Sequence, residues 1–215
     1  MFLLKDGSKV SVNEKGPYDT LEDARLILAE NALYGARIYD EKGNLAECPF
    51  PQSVSDFFRE LKFVTDTVRI EGFVYGDAPI NPGIDHSACI VSCDRMVSWA
   101  LYRMGYTNQP YKQGLIVWAP PGDLQDLGQW CAANSFTRID SVAQLQPGDI
   151  VFVNVKGEPI KNGAIAATHT FVHGGWRTEK LAYRYDCGKN ERLQSVQPFC
   201  EPIKGFLYAY RLPDV

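Results

Sequence analysis

Apolar positions change their period along this chain: up to about residue 148 they recur every three or four residues, and beyond it they alternate. Leu21, Ala24, Leu28 and Ala32 line one helical face, with Thr20 and Asp23 as a capping-box-like start and Gly35 as the stop. Before that helix, Leu3-Leu4-Lys5 and Val10-Ser11-Val12 flank Asp6-Gly7 in the manner of a hairpin. After it, Ala36-Arg37-Ile38-Tyr39 has the pattern of a strand, closed by the turn Asp40-Glu41-Lys42-Gly43-Asn44. Residues 1–47 are therefore expected to form a small strand–helix–strand module. Cys48-Pro49-Phe50-Pro51 is the expected linker, because two prolines this close interrupt both helix and central strand.

A second domain is expected over residues 53–215. Ser55 is placed to cap a helix carrying Phe57, Phe58, Leu61, Val64 and Val68, ended by Gly72. The next helix, over 92–104, shows Val97, Ala100, Leu101 and Met104 to one side and stops at Gly105. Residues 106–145 are rich in Gly, Pro, Gln and Asn and predict surface loops, with one helix near 124–133. Period-two strands follow at 149–153, 168–173, 181–185 and 206–211. Helices first and strands afterwards predict an α+β domain with helices packed on an antiparallel sheet.

Composition narrows the function classes. With 22 Lys and Arg against 26 Asp and Glu, the formal net charge is −4, and no basic run exists to replace phosphate counterions. Nucleic acid is therefore not an expected partner. No stretch approaches the run of about 18 apolar residues that a membrane span requires. Met1-Phe2-Leu3-Leu4-Lys5-Asp6-Gly7 breaks into a turn too early for a signal peptide, so a cytosolic protein, release by another route or a signal already removed is expected. The six cysteines, at 48, 89, 93, 131, 187 and 200, form no CxxC pair and are too sparse for a disulfide scaffold.

Three histidines, His86, His169 and His173, limit where imidazole chemistry could occur. Cys93 opens the 92–104 helix in Val91-Ser92-Cys93-Asp94-Arg95, and a helix N-terminus or a nearby imidazolium stabilises a thiolate. The same position also suits an inert core thiol, since Cys93 shares a face with Val97, Ala100 and Met104. His169 alternates with Phe171 and His173 along a strand. If the following hairpin turns between Arg177 and Thr178, Asp186 faces His169 directly, close enough for an imidazole–carboxylate hydrogen bond. A competing use of these residues is zinc: His86, Cys89 and Cys93, with Cys131 or Cys187 as fourth ligand.

Several elements together resemble the NlpC/P60 cysteine peptidases: Ser92-Cys93-Asp94 at a helix start, Leu145-Gln146-Pro147-Gly148-Asp149-Ile150-Val151-Phe152 opening the sheet, and His169 heading the next strand. Tyr75-Gly76 is similar to the aromatic–glycine element preceding that family's nucleophile. The resemblance spans roughly residues 55–210. It implies a papain-like fold and cleavage of amide bonds in peptidoglycan stem peptides, without cofactor or metal. It implies Cys93 as nucleophile, His169 as base and acid, and Asp186 as third residue, with Asn190 as the other choice. Tyr75, Ser92 and Asp94 become candidate substrate contacts, and the 1–47 module a scaffold or wall-binding unit. Such an enzyme would act at the cell wall, secreted or released without a signal peptide as a phage lysin is. Where the family commonly has Asp-Cys-Ser-Gly, this chain has Ser92-Cys93-Asp94-Arg95, and its Cys–His spacing is longer. The related CHAP amidases share the Cys–His pair, which leaves the bond cut open. A deamidase, a transglutaminase-type enzyme and an inactive binding module on the same fold are the remaining alternatives.

Overall fold

Thr20 starts the first helix as its side chain dictates, its hydroxyl accepting the Asp23 amide at 3.1 Å. The computed structural model describes residues 1–7, 12–70, 74–75, 90–106, 127–155, 167–186 and 199–213. By contacts the chain divides into two compact units, Met1–Phe63 and Val64–Val215.

In the first unit β1 (Phe2–Gly7) and β2 (Val12–Tyr18) are followed by α1 (Leu21–Asn31), a 3₁₀ turn (Ala32–Tyr34), β3 (Arg37–Asp40) and β4 (Leu45–Glu47). The sheet order is β2-β1-β3-β4, so the expected strand–helix–strand module is a four-stranded sheet with a helix. The expected Asp6-Gly7 turn is strand instead, because pairing continues to Gly7 opposite Val12; residues 8–11 lie outside the described residues. Leu4, Ala24, Leu28, Ala36 and Ile38 form the core between sheet and helix. Gly35 adopts φ +70, and a Cβ there would stand 2.3 Å from the Ser55 carbonyl oxygen, so the position demands glycine twice over.

Ser55 does not cap the next helix. That helix, α2 (Gln52–Ile70), begins three residues earlier, with the Ser55 amide donating to the Pro51 carbonyl. Pro51 marks its start because a missing N–H costs nothing there. Ser55 is buried, its hydroxyl 2.9 Å from the Cys48 sulfur. Arg37 ion-pairs with Asp56 at 2.7 Å, which ties the beginning of α2 to the first unit. The division between units therefore falls inside α2 and not at the two prolines. Gly72, the expected end of this helix, lies outside the described residues.

The second unit contains β5 (Val74–Tyr75), β6 (Ile90–Val91), α3 (Cys93–Arg103), α4 (Leu127–Ala133), β7 (Thr137–Ile139), β8 (Ile150–Val153), β9 (His169–Trp176), β10 (Ala182–Tyr185), β11 (Phe199–Glu201) and β12 (Phe206–Arg211). Six of the strands form an antiparallel sheet ordered β11-β10-β9-β8-β12-β7, while β5 and β6 pair in parallel. The architecture is α+β with antiparallel sheets, as the change of period predicts. Every residue of β8 is buried, because both faces of that strand are covered. Val151, Val153, Phe171 and Ala209 build the core on one face with Ile139 and Leu145. Among the described residues no helix is long and apolar enough to cross a membrane.

The Pro147-Gly148-Asp149 turn is fastened on three sides. Gly148 takes φ +93 and donates to the His173 carbonyl at 2.8 Å, and the His173 amide donates to the Asp149 carbonyl at 2.8 Å. The fully buried Asp149 carboxylate accepts two Arg211 hydrogen bonds at 2.8 Å and the Gln146 amide at 2.8 Å. This explains the chemistry of the motif: glycine for the left-handed turn, aspartate to bind the sheet's end to β12.

Candidate active site

Ser92 is extended, with φ −119 and ψ 172, and Cys93 is the first residue of α3. The Ser92 hydroxyl donates to the Asp94 carboxylate at 2.5 Å and does not cap the helix backbone. Ser92, Cys93 and Asp94 are all buried. Helix α3 contacts β9, whose first residue is His169, and the Cys93 side chain lies near enough to the His169 imidazole to favour its charged form. The same ring also reaches Asp186: Nε2 lies 2.6 Å from Oδ1. The Asp186 side chain is fully buried, that of His169 nearly so.

The register that sets this contact differs from the expected one. Val172 pairs with Tyr185 and His173 with Arg184, and the ladder shifts between Tyr183 and Arg184. Continued, it would set Phe171 opposite Asp186, so Asp186 sits diagonally from His169. The turn is longer than a two-residue one: the Arg177 and Thr178 amides both donate to the Leu181 carbonyl, at 2.9 and 3.2 Å. The displacement is by two residues, which keeps every side chain on its own face, and a diagonal pair still falls within reach of long side chains.

Burial disfavours a charge on His169, but the hydrogen bond it donates to Asp186, the nearby Cys93 side chain and the charges of both outweigh it and raise the imidazole to about 10. His169 is therefore an imidazolium at neutral pH. Since its folded value lies above the unfolded one, its stabilising contribution is complete below about pH 6.5 and is lost as pH rises through about 10.

His173 is the opposite case. It is fully buried, neither ring nitrogen has a hydrogen-bond partner among the described residues, and Trp176 packs edge-on at 5.2 Å. Burial lowers it to about 4 despite the nearby Asp149 charge. Below about pH 6.5 the unfolded chain gains a proton that the folded chain refuses, so stability falls by roughly 2–3 kcal/mol by pH 4. We expect His173→Phe to flatten the acid limb of a urea-denaturation series by about one proton. Parallel limbs for wild type and variant would show that another group causes the loss.

The parallel pairing of β5 with β6 places Tyr75 in register with Val91, two residues before Cys93; its side chain lies outside the described residues. Asn190, His86, Cys89 and Cys187 also lie outside them. Among the described residues Cys48, Cys93, Cys131 and Cys200 form no disulfide, and no group of three metal-binding side chains occurs.

Sequence reasoning overlooked Arg184. Its guanidinium is buried, with Nε 3.3 Å from Asp186 Oδ2, lies 4.9 Å from the Phe171 ring centre, and forms a close ion pair with Glu201. The spacing held the signal, since residues two apart on a strand share a face. The chain matches no protein-family model, no curated protein and no solved structure.

Proposed function

We propose that the second unit is a papain-like cysteine hydrolase of the NlpC/P60 type that opens amide bonds in peptidoglycan stem peptides. One observation carries the reading: a thiol at a helix start beside an imidazole that a buried carboxylate holds at 2.6 Å. The order nucleophile, base, orienting group is what covalent acyl transfer needs. The Cys93 sulfur attacks the amide carbon, and His169 delivers its proton to the leaving nitrogen. Water then attacks the thioester, giving a proton to His169, and the thiolate departs. The Cys93 backbone N–H, at the N-terminus of α3, serves as an oxyanion donor. The substrate class rests on the motif resemblance around Cys93, Pro147-Gly148-Asp149 and His169.

Digestion of purified peptidoglycan, followed by mass spectrometry of the new termini, tests activity and bond together. Wild type should generate one class of new amino terminus. Asp186→Asn should retain roughly 10–100 times more activity than variants lacking Cys93 or His169, because an orienting group holds the ring but breaks no bond. Absence of new termini with the wild-type protein would reject the substrate; equal rates for Asp186→Asn and wild type would remove Asp186 from the site.

A further inference from the structure

Four charged side chains follow one another across three adjacent strands and share one face of the sheet. His169 on β9 meets Asp186 at the end of β10; Asp186 meets Arg184 on β10; Arg184 meets Glu201 on β11. The register explains the alignment. Arg184 pairs with Phe199 and Ala182 with Glu201, so Glu201 lies diagonal to Arg184, as Asp186 does to His169. Each carboxylate oxygen of Asp186 faces a different cation, Oδ1 the imidazole and Oδ2 the guanidinium. Oδ1 is at hydrogen-bond distance from the imidazole, whereas Oδ2 meets Arg184 Nε as an ion pair at 3.3 Å without hydrogen-bond geometry, so turning the carboxylate would still cost a buried charge partner. Phe171 beneath the guanidinium and His173 opposite it on β9 keep Arg184 away from water.

We infer that Arg184 is the positioning residue of this site, turning Asp186 Oδ1 toward His169, and that Glu201 moderates the Arg184 charge felt by the Cys93–His169 pair. This deepens the hydrolase reading and rests on it for its catalytic consequence. The charge arrangement fixes the direction of the effect. Arg184 draws on the negative charge of Asp186 that would otherwise support the imidazolium, and Glu201 offsets part of that pull. Neutralising Glu201 therefore leaves His169 with a weaker carboxylate partner, and the ring should release its proton at lower pH.

The test follows the imidazole resonances of the three histidines by NMR against pH in wild type, Glu201→Gln, Arg184→Gln and Arg184→Lys, with hydrolysis measured in parallel. Glu201→Gln preserves shape, and its side chain is 35% exposed, so it should fold. Its His169 midpoint should fall by roughly half to one pH unit, with His173 unchanged. Arg184→Gln should lose roughly tenfold or more in kcat/KM, with Arg184→Lys restoring most of it. A surface ion pair with only a structural role would alter melting temperature and leave the His169 midpoint in place. An unmoved midpoint in Glu201→Gln overturns the inference even if Arg184→Gln fails to fold. A shifted midpoint without peptidoglycan hydrolysis keeps the relay and rejects only the substrate. Hydrolysis with an unmoved midpoint does the reverse.

Discussion

Cys93→Ala should leave peptidoglycan undigested, a loss of roughly 10⁴-fold or more in turnover, because in the proposed mechanism the sulfur is the atom that forms the bond. Ala is the best helix former and suits the first position of α3, so the variant should remain folded. The sulfur is buried, and its removal should cost only about 1 kcal/mol of stability. His169→Ala should match the loss in turnover, since in the same mechanism the imidazole protonates the leaving amine. His86→Ala and His173→Ala should retain turnover in the folded fraction. Limiting iodoacetamide at about pH 6 supplies an independent check, because a thiol beside a persistent imidazolium reacts ahead of ordinary ones. Peptide mapping should compare Cys93 with Cys131, which is equally buried: the label should favour Cys93, and His169→Ala should erase that preference. Activity above a trace in Cys93→Ala, or a label spread evenly over the thiols, would return Cys93 to the role of a core residue.

Arg211→Ala should destabilise the second unit by about 3–5 kcal/mol, because it strands a fully buried carboxylate. Asp149 would keep only the Gln146 amide of its present partners at 2.8 Å, having lost both guanidinium hydrogen bonds. For a domain of this size the change should lower Tm by roughly 10 °C. Arg211→Lys should fall between, since an ammonium replaces a two-pronged contact with a point charge. Arg138→Ala is the matched control: Arg138 pairs with Asp140 at 2.7 Å, but both side chains are more than half exposed, so its loss should stay below about 1 kcal/mol. Urea denaturation of the three variants decides the matter. Equal losses for Arg211→Ala and Arg138→Ala would mean that the Pro147-Gly148-Asp149 turn does not depend on its buried ion pair.

His169 and Asp186 show how far a correct contact can rest on an incorrect register. The hairpin expected between Arg177 and Thr178 set the two residues face to face, whereas the longer turn displaces them into a diagonal. They still meet at 2.6 Å, because a two-residue slip preserves the face. A one-residue slip would have sent Asp186 to the other side of the sheet. Cys93 resolves differently: it is fully buried, as its place on the apolar face of α3 predicts, and the same side chain lies beside the His169 ring.

Local signals were sufficient where the cause is local. The Thr20 cap, the αL glycines at 35 and 148, the start of α3 at Cys93 and the strands β8, β9, β10 and β12 depend on neighbours within a few residues, and their types and spacings state them. The two- and three-residue strands β4, β5, β6, β7 and β11 carry too few positions to show a period, and partners elsewhere in the chain define them. The same holds for the charges that fasten the site. Arg211 reaches Asp149 across 62 residues, and Arg184 reaches Glu201 across 17, through sheet neighbours that no local pattern specifies. Residue types and spacing thus determined the α+β class and the candidate nucleophile and base. Tertiary structure alone decided the register, the burial of Asp186 and Asp149 and the cations that hold them, because these arise from chain segments that meet only when the sheet is assembled.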